Sequence, residues 1–302
     1  MRKSIALFLS LLLLLAVTVS PRTARAAATS SRSDGSDEAA LFDAFARVNE
    51  VNSLHFDVGI TMKLAMKLIS QGLNLDLPIA MNAVYGTDIQ TDPYLVRGDF
   101  TMNMDMGMFG SQSEHILIYG AQDGEKMTTY SSLDEGATWT PQENDSLHAL
   151  LPGEAFGLFR DHAQDIRRAG TDTFQGAAVD VYTCRLEGKF MSQVMSSTGM
   201  EGMLSEITGG DEAALDPNAL GDIPVTIYVD GNGYPVYYAM DMTEAMRDML
   251  ATAMQNVMGM TDLEGMEISV DVSDIRGECT LSDFDAIEPI VLPETALNAP
   301  EA

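Results

Sequence analysis

A formal net charge of -28 over 302 residues makes nucleic acid an implausible partner, because the polyphosphate backbone would be repelled. The same acidity repels anionic lipid surfaces, so a lipid would enter by its apolar tail rather than through a basic docking patch. Solubility outside the cytoplasm is enough to explain the charge and is the preferred interpretation.

The first 26 residues have the pattern of a signal peptide. Arg2 and Lys3 are positive, residues 5–19 are nearly all apolar, and Ala24-Arg25-Ala26 offers a small-x-small cleavage site. We therefore predict export, with residues 1–26 removed and residues 27–35 acting as a flexible tether. No later stretch is long and apolar enough to span a bilayer, and no cysteine near the cleavage site offers a lipid attachment point. The predicted location is secreted, cell-surface or periplasmic, with a retained signal peptide as the alternative.

One amphipathic helix and two long strands open the folded region. Acidic residues after an N-cap serine and an apolar stripe at helical spacing predict a helix from Ser36 to Asn49. The period then changes to two, which predicts strands at residues 56–68 and 73–85. Pro78 cannot donate to a ladder, so it indicates an edge position or a bulge.

A third strand, Tyr94 to Phe109, carries the most unusual pattern in the chain. Its stretch FTMNMDMGMFG alternates apolar and polar residues, so one face of an extended chain carries almost only thioethers. The methionines of this face are Met102, Met104, Met106 and Met108. Such a face must be covered, either by the helices of the same chain or by a ligand.

The next segments complete an antiparallel meander of about six strands. Residues 114–120 and 125–131 flank Asp123-Gly124, a strong hairpin signal, and residues 137–140 around Trp139 form the sixth predicted strand. Six strands are enough for a curved sheet.

The second half of the chain mixes helices and strands. Helices are predicted at 146–151, 154–168, 189–207 and around Met246, and strands at 178–187, 223–229, 234–242, 265–280 and 290–292. No sharp linker divides the chain, so we predict one domain at 36–293 and a tail at 294–302.

The chain resembles the LolA/LolB-like lipoprotein-carrier superfamily, and most closely the exported lipoproteins of uncharacterised function in Gram-positive bacteria. The features that carry the resemblance are Tyr119 through Asp123-Gly124 to Tyr130, Gly136 to Trp139, Gly176 with residues 179–182, residues 225–230, and the ending at residues 290–294. The resemblance implies an α+β fold in which a strongly curved antiparallel sheet or open β-barrel covers amphipathic helices, with an apolar cavity between them. Members of this superfamily include lipoprotein chaperones, lipid carriers and a sensor domain. The resembled Gram-positive proteins are lipid-anchored, and this chain lacks the anchoring cysteine.

Methionine is the most informative residue type for function. There are 21 methionines in the chain, and unbranched thioethers repack easily around varied apolar shapes. We predict an exported, non-enzymatic protein that holds a lipid or acyl chain in an apolar cavity. The predicted lining is Met62, Met66, Met102, Met104, Met106, Met246, Met249 and Leu250. The alternative is an extracytoplasmic protein-interaction or sensory module with a fully packed core and no ligand.

The remaining chemistry of the sequence is sparse. Cys184 and Cys279 are the only cysteines, and an exported chain permits either a disulfide between them or two free thiols. Catalytic and nucleotide-binding motifs are absent and the four histidines lack zinc-ligand spacing, so we predict no enzyme, no cofactor and no metal. His162 is expected on a solvated helix face.

Overall fold

The computed structural model describes residues 35–70, 73–124, 126–144, 159–190, 221–247 and 266–299. Several predictions lie outside the described residues: the signal peptide and most of the tether, the helix at 146–151, the first five residues of the helix at 154–168, most of the helix at 189–207, and the ligand-lining roles of Met249 and Leu250.

The described residues contain eleven strands and few helices. Helix α1 is Gly35–Val48 and helix α2 is Glu294–Leu297, with a 3₁₀ turn at Gly107–Phe109 and short helical segments at 159–162, 188–190 and 243–247. The strands of the first half are β1 Ser53–Ser70, β2 Leu73–Thr91, β3 Tyr94–Asp105, β4 Ser111–Asp123, β5 Lys126–Ser132 and β6 Thr140–Asn144. Those of the second half are β7 Ala163–Phe174, β8 Ala177–Leu186, β9 Ile223–Asp230, β10 Pro235–Asp241 and β11 Met266–Ser282. Within this part of the chain, no helix combines the length and apolar content needed to cross a bilayer.

All eleven strands belong to one antiparallel sheet, in the order β6-β5-β4-β3-β2-β1-β11-β10-β9-β8-β7. The six-strand meander predicted from the first half is confirmed, as are the hairpins at Asp123-Gly124 and at residues 230–233. β1 and β11, far apart in sequence, pair at the centre of the sheet. Strands β6 and β7 form its two edges, so the described sheet is open rather than closed into a barrel.

One face of this sheet, which we call the inner face, carries the apolar side chains of the strands in which apolar and polar residues alternate. On β1 it carries Phe56, Val58 and Ile60, which are 3%, 0% and 2% exposed, while Asp57 and Lys63 point to the other side. Helix α1 covers part of the inner face with its predicted stripe, and Phe45 of this helix lies 5.2 Å from Phe159 between ring centroids. The coarse α+β prediction of a large antiparallel sheet with few helices is therefore confirmed.

Three predictions of secondary structure are wrong. Residues 163–168 form the start of strand β7 rather than a helix, because pairing with β8 through the turn at Gln175-Gly176 outweighs their local helical spacing. Residues 137–139 precede β6 rather than forming the sixth strand. Residues 290–292 lie in an irregular segment before α2.

The C-terminal segment 283–299 crosses the end of the sheet as a strap. Asn52 N donates to Asp285 Oδ1 at 2.6 Å, and Ile290 N donates to Gln90 Oε1 at 3.2 Å. Farther along, Trp139 Nε1 donates to Thr295 Oγ1 at 3.1 Å. This contact explains the burial of the sole tryptophan, which the sequence placed inside a strand.

Candidate ligand-binding site

The inner face has a tightly packed half. Val58, Tyr85, Phe100 and Ile116 are direct cross-strand neighbours on β1 to β4, and none is more than 3% exposed. The adjoining enclosed cavity, lined by side chains that include Phe45, Leu186 and Ile227, has a volume of only about 10 Å³. A cavity of this size holds at most one water molecule and is too small for an acyl chain.

A break in β11 marks where the packing changes. Lys63 of β1 pairs with Asp274 and Leu64 pairs with Val272, so Ser273 is an extra residue without a partner in the ladder. Its hydroxyl donates to Lys63 O at 3.0 Å. A bulge of this kind bends its strand and increases the local twist.

Beyond the bulge, three strands continue without their neighbours. The pairing of β2 with β3 stops at Ala80, and the pairing of β11 with β10 stops at Arg276. We call the remaining three-stranded extension the wing; it consists of residues 64–70, 73–79 and 266–272. Pro78 lies in the wing where β2 has no ladder partner on its β3 side, in agreement with the predicted edge position.

The inner face stays apolar in the wing but loses cover. Leu64, Met66, Ile79 and Val270 are only partly buried, although the alternation that buries β1 in the packed half continues through them. Leu77, opposite Met66, and Val272, opposite Leu64, stay buried at 8% and 1% exposure. The wing therefore offers a half-open apolar surface on the same face as the core.

The predicted methionines divide between the two halves. Met62 and Met104 flank the buried Met81 in one cross-strand row at the junction and are partly buried, and Met66 lies in the wing. Met102 is 7% exposed among core residues, so it belongs to the packed half.

Two further methionines depart from the strand pattern or lie next to it. The methionine alternation of β3 ends at Asp105, so Met106 belongs to the turn before β4 rather than to the strand. Met246 is partly buried against the core in the helical segment 243–247.

That helical segment is fixed to β11 at the bulge. Ile275 N donates to Thr243 Oγ1 at 3.0 Å, and Arg247 Nη2 donates to Val272 O at 3.1 Å. The second bond satisfies a carbonyl that β10 no longer reaches. These contacts hold Met246 close to the start of the wing.

A second, larger groove has a different chemistry. Its volume is about 740 Å³, and its lining includes Asp37, Asp165, Arg167, Thr183 and Arg185. Arg185 forms ion pairs with Asp165 and with Asp222. Charged and paired walls suit polar contacts, so this groove is a poor host for an acyl chain.

The two cysteines are free and buried. They lie on β8 and β11, which are separated by two intervening strands, so their Cα atoms are about 14 Å apart at ordinary strand spacing. A disulfide requires less than about 7 Å, and the structure therefore contains the two free thiols that the sequence also permitted. Burial raises the pKa of both thiols to about 12, which keeps them protonated and unreactive near neutral pH.

His162 does not lie on a solvated face. It is 8% exposed, its Nδ1 lies 3.3 Å from Glu187 Oε2, and its ring packs against Phe190. The reason is that the helical segment ends at this residue and β7 begins at the next one, which turns the side chain inward. Among the described residues, no cluster of three or more His, Cys, Asp or Glu side chains could hold a metal ion.

Sequence reasoning missed the bulge and therefore the boundary of the site. Leu64, Ile79 and Val270 follow visible alternation but were not among the predicted lining residues. A signal for the bulge exists: the apolar positions Val270 and Val272 are followed by Ile275 instead of an apolar residue at 274, which is a shift of one residue in the alternation.

Several solved structures show a distant likeness to this chain. No family model and no curated protein matches the sequence. The crystal structure of lipoprotein LppX from Mycobacterium tuberculosis is 12% identical, with 86% of this chain and 100% of that chain covered at a TM-score of 0.41. The crystal structure of LprF from Mycobacterium bovis is 12% identical, with 88% and 100% covered at a TM-score of 0.44. At these values the likenesses assign neither a family nor a function.

Proposed function

We propose that this chain is an exported, non-enzymatic binding protein that holds a hydrophobic ligand, a lipid or an acyl chain, on the inner face of the wing. The observation that carries the proposal is the loss of cover at the bulge. The apolar alternation of β1, β2 and β11 continues past Ser273, where Leu64, Met66, Ile79 and Val270 are partly exposed while Leu77 and Val272 stay buried. Apolar surface left open beside a close-packed core is the usual mark of a binding region.

The dimensions and chemistry of the wing suit an extended apolar ligand. Seven residues of β1 lie beyond the bulge, which at strand spacing is about 23 Å. Partly buried Met62, Met66 and Met104 provide flexible thioethers where the ligand would lie, and such side chains adapt to chains of different length and saturation. The resemblance of the sequence to the LolA/LolB-like superfamily points to the same class of ligand.

A charge placed on the inner face at the junction tests the proposal. The variant Met104→Asp should abolish uptake of a fluorescent fatty acid offered as monomer in solution, because it introduces a carboxylate into an apolar contact surface. The matched control is Asn103→Asp, which adds the same charge one residue earlier on the exposed opposite face of β3. The control should bind with unchanged affinity.

A second pair of variants protects the test against a folding defect at Met104. Met66→Asp lies farther from the packed core, and Ala65→Asp changes the neighbouring residue on the opposite face of β1. Uptake lost in both inner-face variants and retained in both controls supports the proposal. Uptake that persists in Met104→Asp and Met66→Asp contradicts it. A wild-type protein that purifies without extractable lipid and rejects every fatty acid would favour the protein-interaction or sensory module instead.

A further inference from the structure

The turn between β3 and β4 displays two adjacent apolar side chains to solvent. Met108 is 72% exposed and Phe109 is 65% exposed. Burying a methionine or phenylalanine side chain stabilises a protein by about 1.5 to 3 kcal/mol. Two neighbouring exposed side chains of this kind therefore would gain free energy from being buried against a partner.

The backbone of this turn fixes their exposure. Gly107 and Gly110 have φ values of +58° and +86°, which glycine adopts without strain. Gly107 N donates to Asp105 Oδ1 at 2.9 Å, and Met106 N donates to Gly110 O at 3.0 Å. A Cβ at Gly107 would lie 3.1 Å from the Pro78 ring, so the turn also rests closely against the edge of the wing. The apolar pair is therefore presented by an ordered turn.

Charge is distributed unequally between the two ends of strands β1 to β4. Residues 106–113 at the β3–β4 turn and residues 68–75 around the β1–β2 connection contain no charged residue, in a chain with 45 acidic residues. At the opposite end, the β2–β3 turn contains Asp92 and the β4–β5 turn contains Asp123, Glu125 and Lys126. We call residues 106–113 and 68–75 together the apolar end; it includes Ile69, which is 43% exposed, and it adjoins the half-open wing, whose charged residues are Lys67, Asp76, Glu267 and Asp271.

The chemistry of the apolar end fits a lipid surface best. Removing the turn from water costs little because residues 106–113 carry no charge to desolvate, and phenylalanine with methionine partitions favourably into the boundary of the acyl region. The net charge of -28 disfavours anionic headgroups and leaves zwitterionic or neutral lipid as the partner. A second copy of the chain is the competing partner, and its signature would be a dimer that depends on Met108 and Phe109.

We propose that the turn at residues 106–110 is a membrane-docking element that inserts Met108 and Phe109 into a zwitterionic or neutral lipid surface. Docking at this end brings the wing next to the lipid, so a ligand could pass between the bilayer and the inner face without crossing water. The inference deepens the proposed function and rests on it for its purpose, but its physical basis is the turn itself.

Co-sedimentation with phosphatidylcholine vesicles tests the docking. The wild-type mature chain should bind, and Met108→Ser/Phe109→Ser should bind at least about tenfold more weakly, because two inserted side chains are lost. The matched control is Val291→Ser/Leu297→Ser, which removes two side chains that are 76% and 59% exposed in the strap at the other end of the molecule. The control should bind like the wild type.

A site-specific probe locates the contact. Phe109→Trp should show a blue-shifted emission with phosphatidylcholine vesicles and quenching by brominated phosphatidylcholine. Val291→Trp should show neither, and the native Trp139 is common to both variants.

Four results would overturn the inference: no binding of the wild type to phosphatidylcholine vesicles, equal losses in both double variants, binding that requires anionic lipid, or a dimer in ultracentrifugation that Met108→Ser/Phe109→Ser abolishes. Failure of docking is separable from failure of the proposed function. Met104→Asp should still bind vesicles, and Met108→Ser/Phe109→Ser should still take up monomeric fatty acid from solution.

Discussion

Ionisable residues on the outer face form a ladder across three strands. His55 of β1 faces Asp88 of β2, which in turn faces Arg97 of β3. His55 Nδ1 lies 2.7 Å from Asp88 Oδ1, Arg97 Nε donates to Asp88 Oδ2 at 2.9 Å, and Asp57 lies 3.3 Å from the other ring nitrogen. Cross-strand pairs of this kind hold neighbouring strands in register.

The protonation of this ladder follows from its contacts. Burial alone would lower the pKa of His55, but the hydrogen bond with Asp88 and the charge of Asp57 outweigh it and raise the pKa above 6.5. Burial would raise the pKa of Asp88, but hydrogen bonds from His55 and Arg97 outweigh it and lower the pKa below 3.8. The contribution of His55 to the free energy of unfolding is complete below its unfolded pKa of 6.5 and is lost as the pH rises through its folded pKa. The contribution of Asp88 is present above 3.8 and is lost as the pH falls through its folded pKa, so both contribute near pH 5.

Replacing His55 should therefore have a pH-dependent cost. The free energy of unfolding of His55→Gln should fall below that of the wild type by about 1 kcal/mol more at pH 5.5 than at pH 8.5, because only the protonated ring gains from Asp88 and Asp57. Urea unfolding at the two pH values measures the difference. His115→Gln serves as the control, because it removes a histidine whose pair with Asp99 is more exposed. A cost that is the same at both pH values would mean that His55 contributes by packing alone.

At the scale of elements, the bulge at Ser273 links local geometry to the site. It lies where β10 stops pairing with β11, where Arg247 takes over the carbonyl of Val272, and near where Leu64, Met66, Ile79 and Val270 of the inner face become partly buried. A single unpaired residue thus coincides with the boundary between core and wing.

Deleting Ser273 should straighten the wing while preserving the pairing on both sides of it. Lys63 would still face Asp274 and Leu64 would still face Val272, so we expect a folded protein whose fatty-acid affinity is about tenfold weaker because the bend is lost. Ser273→Ala is the matched control: it keeps the bulge and removes only the hydroxyl bond to Lys63 O, which contributes about 1 kcal/mol. Fluorescent fatty-acid titration and thermal unfolding of both variants measure the effects. Unchanged fatty-acid affinity in the deletion variant would show that the bend does not contribute to binding.

The alternation in the sequence was sufficient to predict the long strands, but it could not predict which parts of their apolar face are covered. Period-two patterns located β1, β2 and β11, because in a strand that is buried on one side the apolar residues mark the buried face and the polar residues mark the other. The same pattern runs through packed Ile60 and half-open Met66, since burial depends on what lies above each row and not on the row itself. Residues 163–168 show the opposite failure, where non-local pairing with β8 decides a segment whose local spacing is helical. Met102 illustrates the same limit, because it shares the methionine face with Met104 but is buried in the core.

On the scale of the whole molecule, the balance of charge governs stability. The ion pairs among the described residues lie mostly at the surface, as with Lys126 and Glu143, whose side chains are more than 60% exposed. Each exposed pair contributes little to stability, whereas the excess acidic residues that give the net charge of -28 repel one another throughout the chain.

Salt should therefore stabilise this protein. Raising sodium chloride from about 20 mM to about 200 mM shortens the screening distance from roughly 20 Å to roughly 7 Å, which weakens the long-range repulsion more than the short contacts. We expect the free energy of unfolding at pH 7.5 to rise by about 1 kcal/mol, and to rise less at pH 5, where protonation has begun to reduce the negative charge. Urea unfolding at the four combinations of salt and pH measures both effects. If stability instead falls with salt, the surface ion pairs outweigh the net repulsion, and variants such as Lys126→Gln should then lose stability in low salt but not in high salt.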